Sequence, residues 1–97
     1  MEKFVYINDL YDYYKDIFTE KQRYYFEKYY HDNLSLSEIA ENDGVSRNAV
    51  HNQLKIVQSK LEELESIFKL YEKKNKIIKI LNKKVDEKTL KEVEKLL

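Results

Sequence analysis

Between positions 46 and 55 the chain gathers Ser46, Arg47, Asn48, His51, Asn52 and Lys55. These are residue types that read polar edges. An Arg pairs bidentately with guanine and an Asn with adenine. Lys55, with Lys60 beyond it, can meet phosphates. Ser46 at a helix start leaves backbone donors that can also hold a phosphate. The competing reading is a plain solvated helix face. One Arg and one Lys form a thin electrostatic footprint, and Glu41 and Asp43 lie just upstream, where they repel phosphates.

Other chemistry finds little support. The chain has no Cys, so neither a disulfide nor a thiolate metal site can form. Two histidines, His31 and His51, are too few and too far apart for a metal cluster. There is no Gly-rich phosphate loop and no Ser/His/acid grouping at a sensible spacing. The expectation is a protein that is not an enzyme and carries no cofactor. Most of the nine tyrosines sit in pairs or near-pairs between positions 11 and 30. They can be stacking platforms for single-stranded nucleic acid. Their helical periodicity favours core residues with a polar tip.

The candidate face needs a helix-turn-helix to present it. That motif requires two helices to cross closely at a fixed angle. Ala40 supplies the small residue at the crossing. Gly44, four positions later, supplies tolerance of positive φ at the turn. Ile39, Val45 and Val50 are the apolar residues expected to close the miniature core. Three positions after Val50 the usual apolar residue is replaced by Gln53, and Leu54 is expected to take the buried role.

The surrounding elements read as helices. Ile7, Leu10, Tyr11, Tyr14, Ile17 and Phe18 share one face of a helix over 4–18. Thr19 with Gln22 forms a capping box that starts a second helix over about 20–31. His31, Asp32 and Asn33 mark a loop. Ser35 with Glu38 starts a third helix over about 36–42, and Ser46 caps a fourth. Val50, Leu54, Val57, Leu61, Leu64, Phe68 and Tyr71 then follow at spacings of 4, 3, 4, 3, 4 and 3. That heptad seam predicts a helix running past residue 70. Two readings stay open: the seam packs within the chain, or it forms a homodimer interface from Val50 to Tyr71. The segment 73–84 holds six Lys, no acid, and Ile77, Ile78, Ile80 and Leu81. It reads as a solvated amphipathic helix or as a grip on a nucleic-acid backbone. A last amphipathic helix over 86–97 presents Leu90, Val93, Leu96 and Leu97.

The composition agrees. The 97 residues include no Pro, one Gly and 37% charged residues, which suits long solvated helices. Net charge is zero, but residues 1–45 hold 5 basic and 10 acidic side chains, and residues 46–97 hold 13 and 8. Nucleic-acid contact is therefore expected in the C-terminal half. No apolar run approaches ~20 residues, so no membrane span is expected. The start MEKFVYIND lacks a signal-peptide pattern, and a cytoplasmic location is the default. The expected organisation is a helical domain over 1–72, with the helix-turn-helix at about 35–55, and a Lys-rich helical extension over 73–97.

The run LSLSEIAENDGVSRNAV resembles region 4 of bacterial sigma factors, where a similar run forms the DNA-reading motif. With TEKQRYYFEKYY (19–30), LSLSEIAE (34–41) and VSRNAV (45–50), the chain over 7–55 is similar to the YlxM family of small bacterial helix-turn-helix proteins. The resemblance implies an all-α bundle and allows a dimer. It also implies a regulatory role linked to the signal recognition particle pathway, because family genes lie beside those of its GTPases. The family brings no catalytic residues to carry over. Two functions follow: a regulator that binds duplex DNA or signal recognition particle RNA, or an adaptor that binds a protein of that particle.

Overall fold

A computed structural model describes residues 2–97. The elements in chain order are α1 (Glu2–Tyr14), a 3-10 turn (Lys15–Ile17), α2 (Glu20–Tyr30), α3 (Leu36–Asp43), α4 (Arg47–Phe68), α5 (Leu70–Leu81) and α6 (Glu87–Leu96). No strand is found among the described residues. The fold is all-α, as expected.

Both capping boxes form. Gln22 N donates to Thr19 Oγ1 at 3.2 Å, and Thr19 N donates back to Gln22 Oε1 at 3.0 Å. Glu38 N donates to Ser35 Oγ at 3.0 Å, and Ser35 N donates to Glu38 Oε1 at 3.1 Å. Each box satisfies backbone donors that a helix start otherwise leaves open.

The core is built around α4. Helices α1, α2 and α3 all pack on it, burying Val50, Leu54, Val57, Leu61 and Leu64. Against these lie Ile7, Leu10, Tyr11, Tyr14 and Phe18 from the N-terminal segment, and Tyr25, Phe26 and Tyr30 from α2. Phe26 stacks between Tyr11 and Tyr30, with ring centroids 4.0 and 4.3 Å away. Three of the buried tyrosines keep their polar tips paired: Tyr11 donates to Glu27 Oε2 at 2.6 Å, Tyr14 donates to Glu65 Oε1 at 2.9 Å, and Tyr30 accepts from Gln58. The expectation that most tyrosines serve the core holds for these.

Two elements depart from the sequence reading. The first helix ends at Tyr14 and tightens into the 3-10 turn. Tightening rotates Ile17 off the apolar face, so it is 56% exposed, while Phe18 turns inward. The fourth helix does not run past residue 70. It stops at Phe68, and Lys69 takes the left-handed conformation (φ 55°, ψ 32°). The cause lies upstream. The buried carboxylate of Glu65 accepts from the N–H groups of Tyr71 at 3.1 Å and Glu72 at 3.0 Å. It thereby caps a new helix, α5, in place of the carbonyls that a continuous helix would offer.

The seam is therefore intrachain as far as Leu64 and is filled there. Phe68 is 51% exposed, and Tyr71 is carried away to α1, where its ring meets Tyr6 edge-on at 5.5 Å. Neither α5 nor α6 contributes a buried residue. This hairpin extends the molecule to 53 × 25 × 23 Å with a radius of gyration of 16.3 Å. A compact domain of this length has about 12–13 Å.

Candidate nucleic-acid interface

The turn between α3 and α4 is set by Gly44 in the left-handed region (φ 66°, ψ 33°). Val45 N donates to Ala40 O at 3.0 Å and Gly44 N to Glu41 O at 3.4 Å, the paired bonds of a Schellman end. Ala40 is buried at the crossing, and Ile39 and Val50 close the small core beside it. Val45 does not. It is 39% exposed, because the left-handed residue before it swings its side chain outward. Leu54 takes the buried position, and Gln53 is half-buried.

Ser46 caps α4, its Oγ accepting from Ala49 N at 3.0 Å. Its hydroxyl is thus engaged in starting the helix, while the N–H groups of the first turn stay at the surface. Arg47, Asn48, His51, Asn52 and Lys55 are all exposed. None of the five has a side-chain hydrogen bond or ion pair among the described residues. At 100° per residue, Asn48, Asn52 and Lys55 cluster opposite the buried stripe. Arg47 and His51 lie on the flank, where His51 shares a cleft with Tyr29, Leu36 and Gln58. The six residues thus occupy one end of one helix but spread over two sides of it.

Beyond Lys55 the sequence reading took only Lys60 into this face. Ile56, Ser59, Lys60 and Glu63 continue it toward the C-terminus, lining a shallow surface with Asn52 and Lys55. Ile56 is 52% exposed in the middle of the polar residues. Extending the 48–52 spacing by one more turn reaches it. Lys60 is partly neutralised by Glu63 at 3.7 Å.

The acids nearby are mostly occupied. Asp43 accepts from Tyr24 Oη at 2.9 Å, and that bond holds the Tyr24 hydroxyl above its ordinary pKa. Glu38 is held in its capping box. Glu41 remains exposed and without a partner among the described residues.

Fold and motif define an all-helical helix-turn-helix protein. The whole chain, residues 1–97, matches the model of the UPF0122 family, described as "Putative helix-turn-helix protein, YlxM / p13 like". The chain belongs to that family. It is similar to a UPF0122 protein of Halalkalibacterium halodurans, 40% identical over 95 residues that cover 95% of this chain and 87% of the relative. It is also similar to UPF0122 proteins of Bacillus licheniformis (39% over 89 residues, 89% and 83% covered) and of a Geobacillus species (41% over 86 residues, 89% and 78% covered). No helix among the described residues is long and apolar enough to cross a membrane.

Proposed function

We propose that the chain is a nucleic-acid-binding regulator whose reading surface is the N-terminal half of α4. The observation that carries this reading is the set Arg47, Asn48, His51, Asn52 and Lys55, exposed and unpaired on a helix whose start is fixed by Ser46 and Gly44. In this geometry the helix enters a major groove by its N-terminal turns. Arg47 and Lys55 then carry the charge, and Asn48 and Asn52 present amides to base edges. The YlxM resemblance sets signal recognition particle RNA beside duplex DNA as a ligand.

Fluorescence anisotropy at ~50 and ~200 mM salt tests this directly. Each phosphate contact lowers affinity about 3.5-fold over that range, so two contacts lower it about tenfold. Arg47→Glu with Lys55→Glu is expected to abolish both the binding and its salt dependence. Unchanged binding in that variant would remove α4 as the reading surface.

One observation favours a second reading. Ile56 stands exposed amid the polar residues, and Glu41 faces solvent on α3. Both suit a protein partner better than a phosphate backbone. As an adaptor for a signal recognition particle protein, the chain shows no salt-sensitive anisotropy change with either nucleic acid, and Ile56→Glu disrupts its complex.

A further inference from the structure

We propose that Lys69 is a hinge through which two copies of the chain exchange their α5–α6 hairpins. Four features of the bend point to it. Lys69 holds φ 55° although it carries a side chain, a conformation that L-residues other than Gly adopt at a cost. The Lys69 side chain makes no cap of its own, and α5 is started only by Glu65 from the preceding helix. The heptad spacing runs unbroken through the bend, so residues on both sides of Lys69 already fit one helix. The bend also leaves Ile67, Phe68 and Leu70 between 43% and 62% exposed.

Beyond the Glu65 cap at its start, the docked hairpin is held lightly. It buries no residue of its own and rests on α1 through a few polar and aromatic contacts. Tyr71 Oη donates to Asp9 Oδ2 at 3.3 Å, Leu70 N donates to Tyr14 Oη at 3.3 Å, and Tyr71 meets Tyr6. Lys74 Nζ sits 5.6 Å from the Tyr13 ring centroid, and the Tyr13 hydroxyl is buried without a partner among the described residues. Segments with few buried contacts open most readily.

Straightening Lys69 joins α4 and α5 into one helix from Arg47 to Leu81, about 52 Å long. The N–H groups of Tyr71 and Glu72 leave Glu65 and return to the carbonyls of Ile67 and Phe68. The hairpin then lies beyond its own α1 and seats on α1 of a second copy, where Tyr71 meets Tyr6 and Asp9 and Lys74 meets Tyr13 between chains, while the Leu70 N–H leaves Tyr14 for the Ser66 carbonyl. Ile67, Phe68 and Leu70 of the two chains meet at the crossover, which covers the apolar residues that the bent form leaves in water. The occupant is a second copy because an identical α1 offers Tyr71 and Lys74 the same Tyr6, Asp9 and Tyr13 partners that they have at home.

The chain lacks Cys, so paired thiols report on it cleanly. Tyr6→Cys with Tyr71→Cys, joined by a short thiol crosslinker, reads whether the hairpin docks on its own chain or on another. At high protein concentration a fraction of crosslinks between chains is expected, together with a dimer by light scattering. Lys69→Gly removes the strain of the bend and weakens the straight helix. It should raise the dimer dissociation constant at least about fivefold per chain, on the order of 30-fold per dimer. Lys69→Ile resists the left-handed conformation and should shift the population toward interchain crosslinks. If Lys69→Ile fails to fold, Lys69→Gly decides alone. Crosslinks that stay within the chain at every concentration, or an interchain fraction unmoved by Lys69→Gly, would overturn the hinge.

Discussion

Glu65 is an acid drawn into the apolar side of α4, only 8% exposed, and three donors hold it there: Tyr14 Oη and the N–H groups of Tyr71 and Glu72. A buried carboxylate is tolerable only when its oxygens are satisfied in this way. Glu65→Ala strands the Tyr14 hydroxyl and two backbone donors together. The expected loss is about 2–3 kcal/mol of stability, read as a lower urea midpoint, with faster hydrogen exchange in α5. Glu65→Gln keeps one carbonyl acceptor and is expected to lose about half as much. An unchanged midpoint in Glu65→Ala would show that the contacts are incidental. Nothing in the sequence singles Glu65 out among the acids of α4, because its role depends on donors beyond a break that no Gly, Pro or capping residue announces. Ser46, Ser35 and Thr19 were legible for the opposite reason. Each acts on a partner three residues away, so sequence spacing alone contains the interaction.

At the scale of the element, the helix-turn-helix was legible because its demands are local and steric. Ala40, Gly44 and Val50 fall where a close crossing needs them, and the left-handed Gly44 is observed. A Cβ at Gly44 would meet nothing within 4 Å, so the cost of Gly44→Ala is the strain of holding an L side chain at positive φ. The expected cost is about 1 kcal/mol by chemical denaturation, and a much larger loss would mean that space also matters there. The extent of α4 was less legible. A heptad reports which residues share a stripe but not where the chain stops following it. The buried part of the stripe ends at Leu64, and two substitutions test that boundary. Leu61→Ala is expected to cost about 3 kcal/mol, whereas Phe68→Ser should cost under ~1 kcal/mol. Equal losses would place Phe68 in a packed environment. The face of α4 was legible as far as Lys55. Ile56 escaped notice because an isolated isoleucine in a helix is ordinarily taken as core, and only the observed rotation of α4 turns it outward.

Across the whole molecule, hydroxyls take up much of the burden of keeping an aromatic core dry. Burial raises the ionisation of Tyr11, Tyr14, Tyr25 and Tyr30 above the ordinary phenol range, with Glu27 and Glu65 adding to the effect at Tyr11 and Tyr14. A folded-state pKa raised above the unfolded one gives stability that is fully present below about pH 10 and is lost as pH rises beyond it. Circular dichroism and tyrosinate absorbance should therefore change together above about pH 10, because the buried phenols ionise as the helices melt. Tyrosinate forming well before any loss of helix would show that these rings reach solvent in the fold. The charge asymmetry between the two halves was plain in composition. The physical separation behind it was not, since much of the positive charge lies on a hairpin that adds nothing to the core.

That hairpin has a consequence for how the protein breaks down. Its lysines stand on two short helices that no buried side chain anchors and on the turn between them. A protease that cuts after lysine should find Lys73, Lys76, Lys79, Lys83 and Lys84 before any peptide bond of the first four helices. Limited trypsin digestion is expected to leave a resistant fragment ending near residue 73, with the helix-turn-helix whole and eight of the eighteen basic side chains gone. The surface proposed to read nucleic acid would then survive in a molecule about three quarters the original length, with 14 acidic against 10 basic side chains and without the hairpin proposed to exchange between copies.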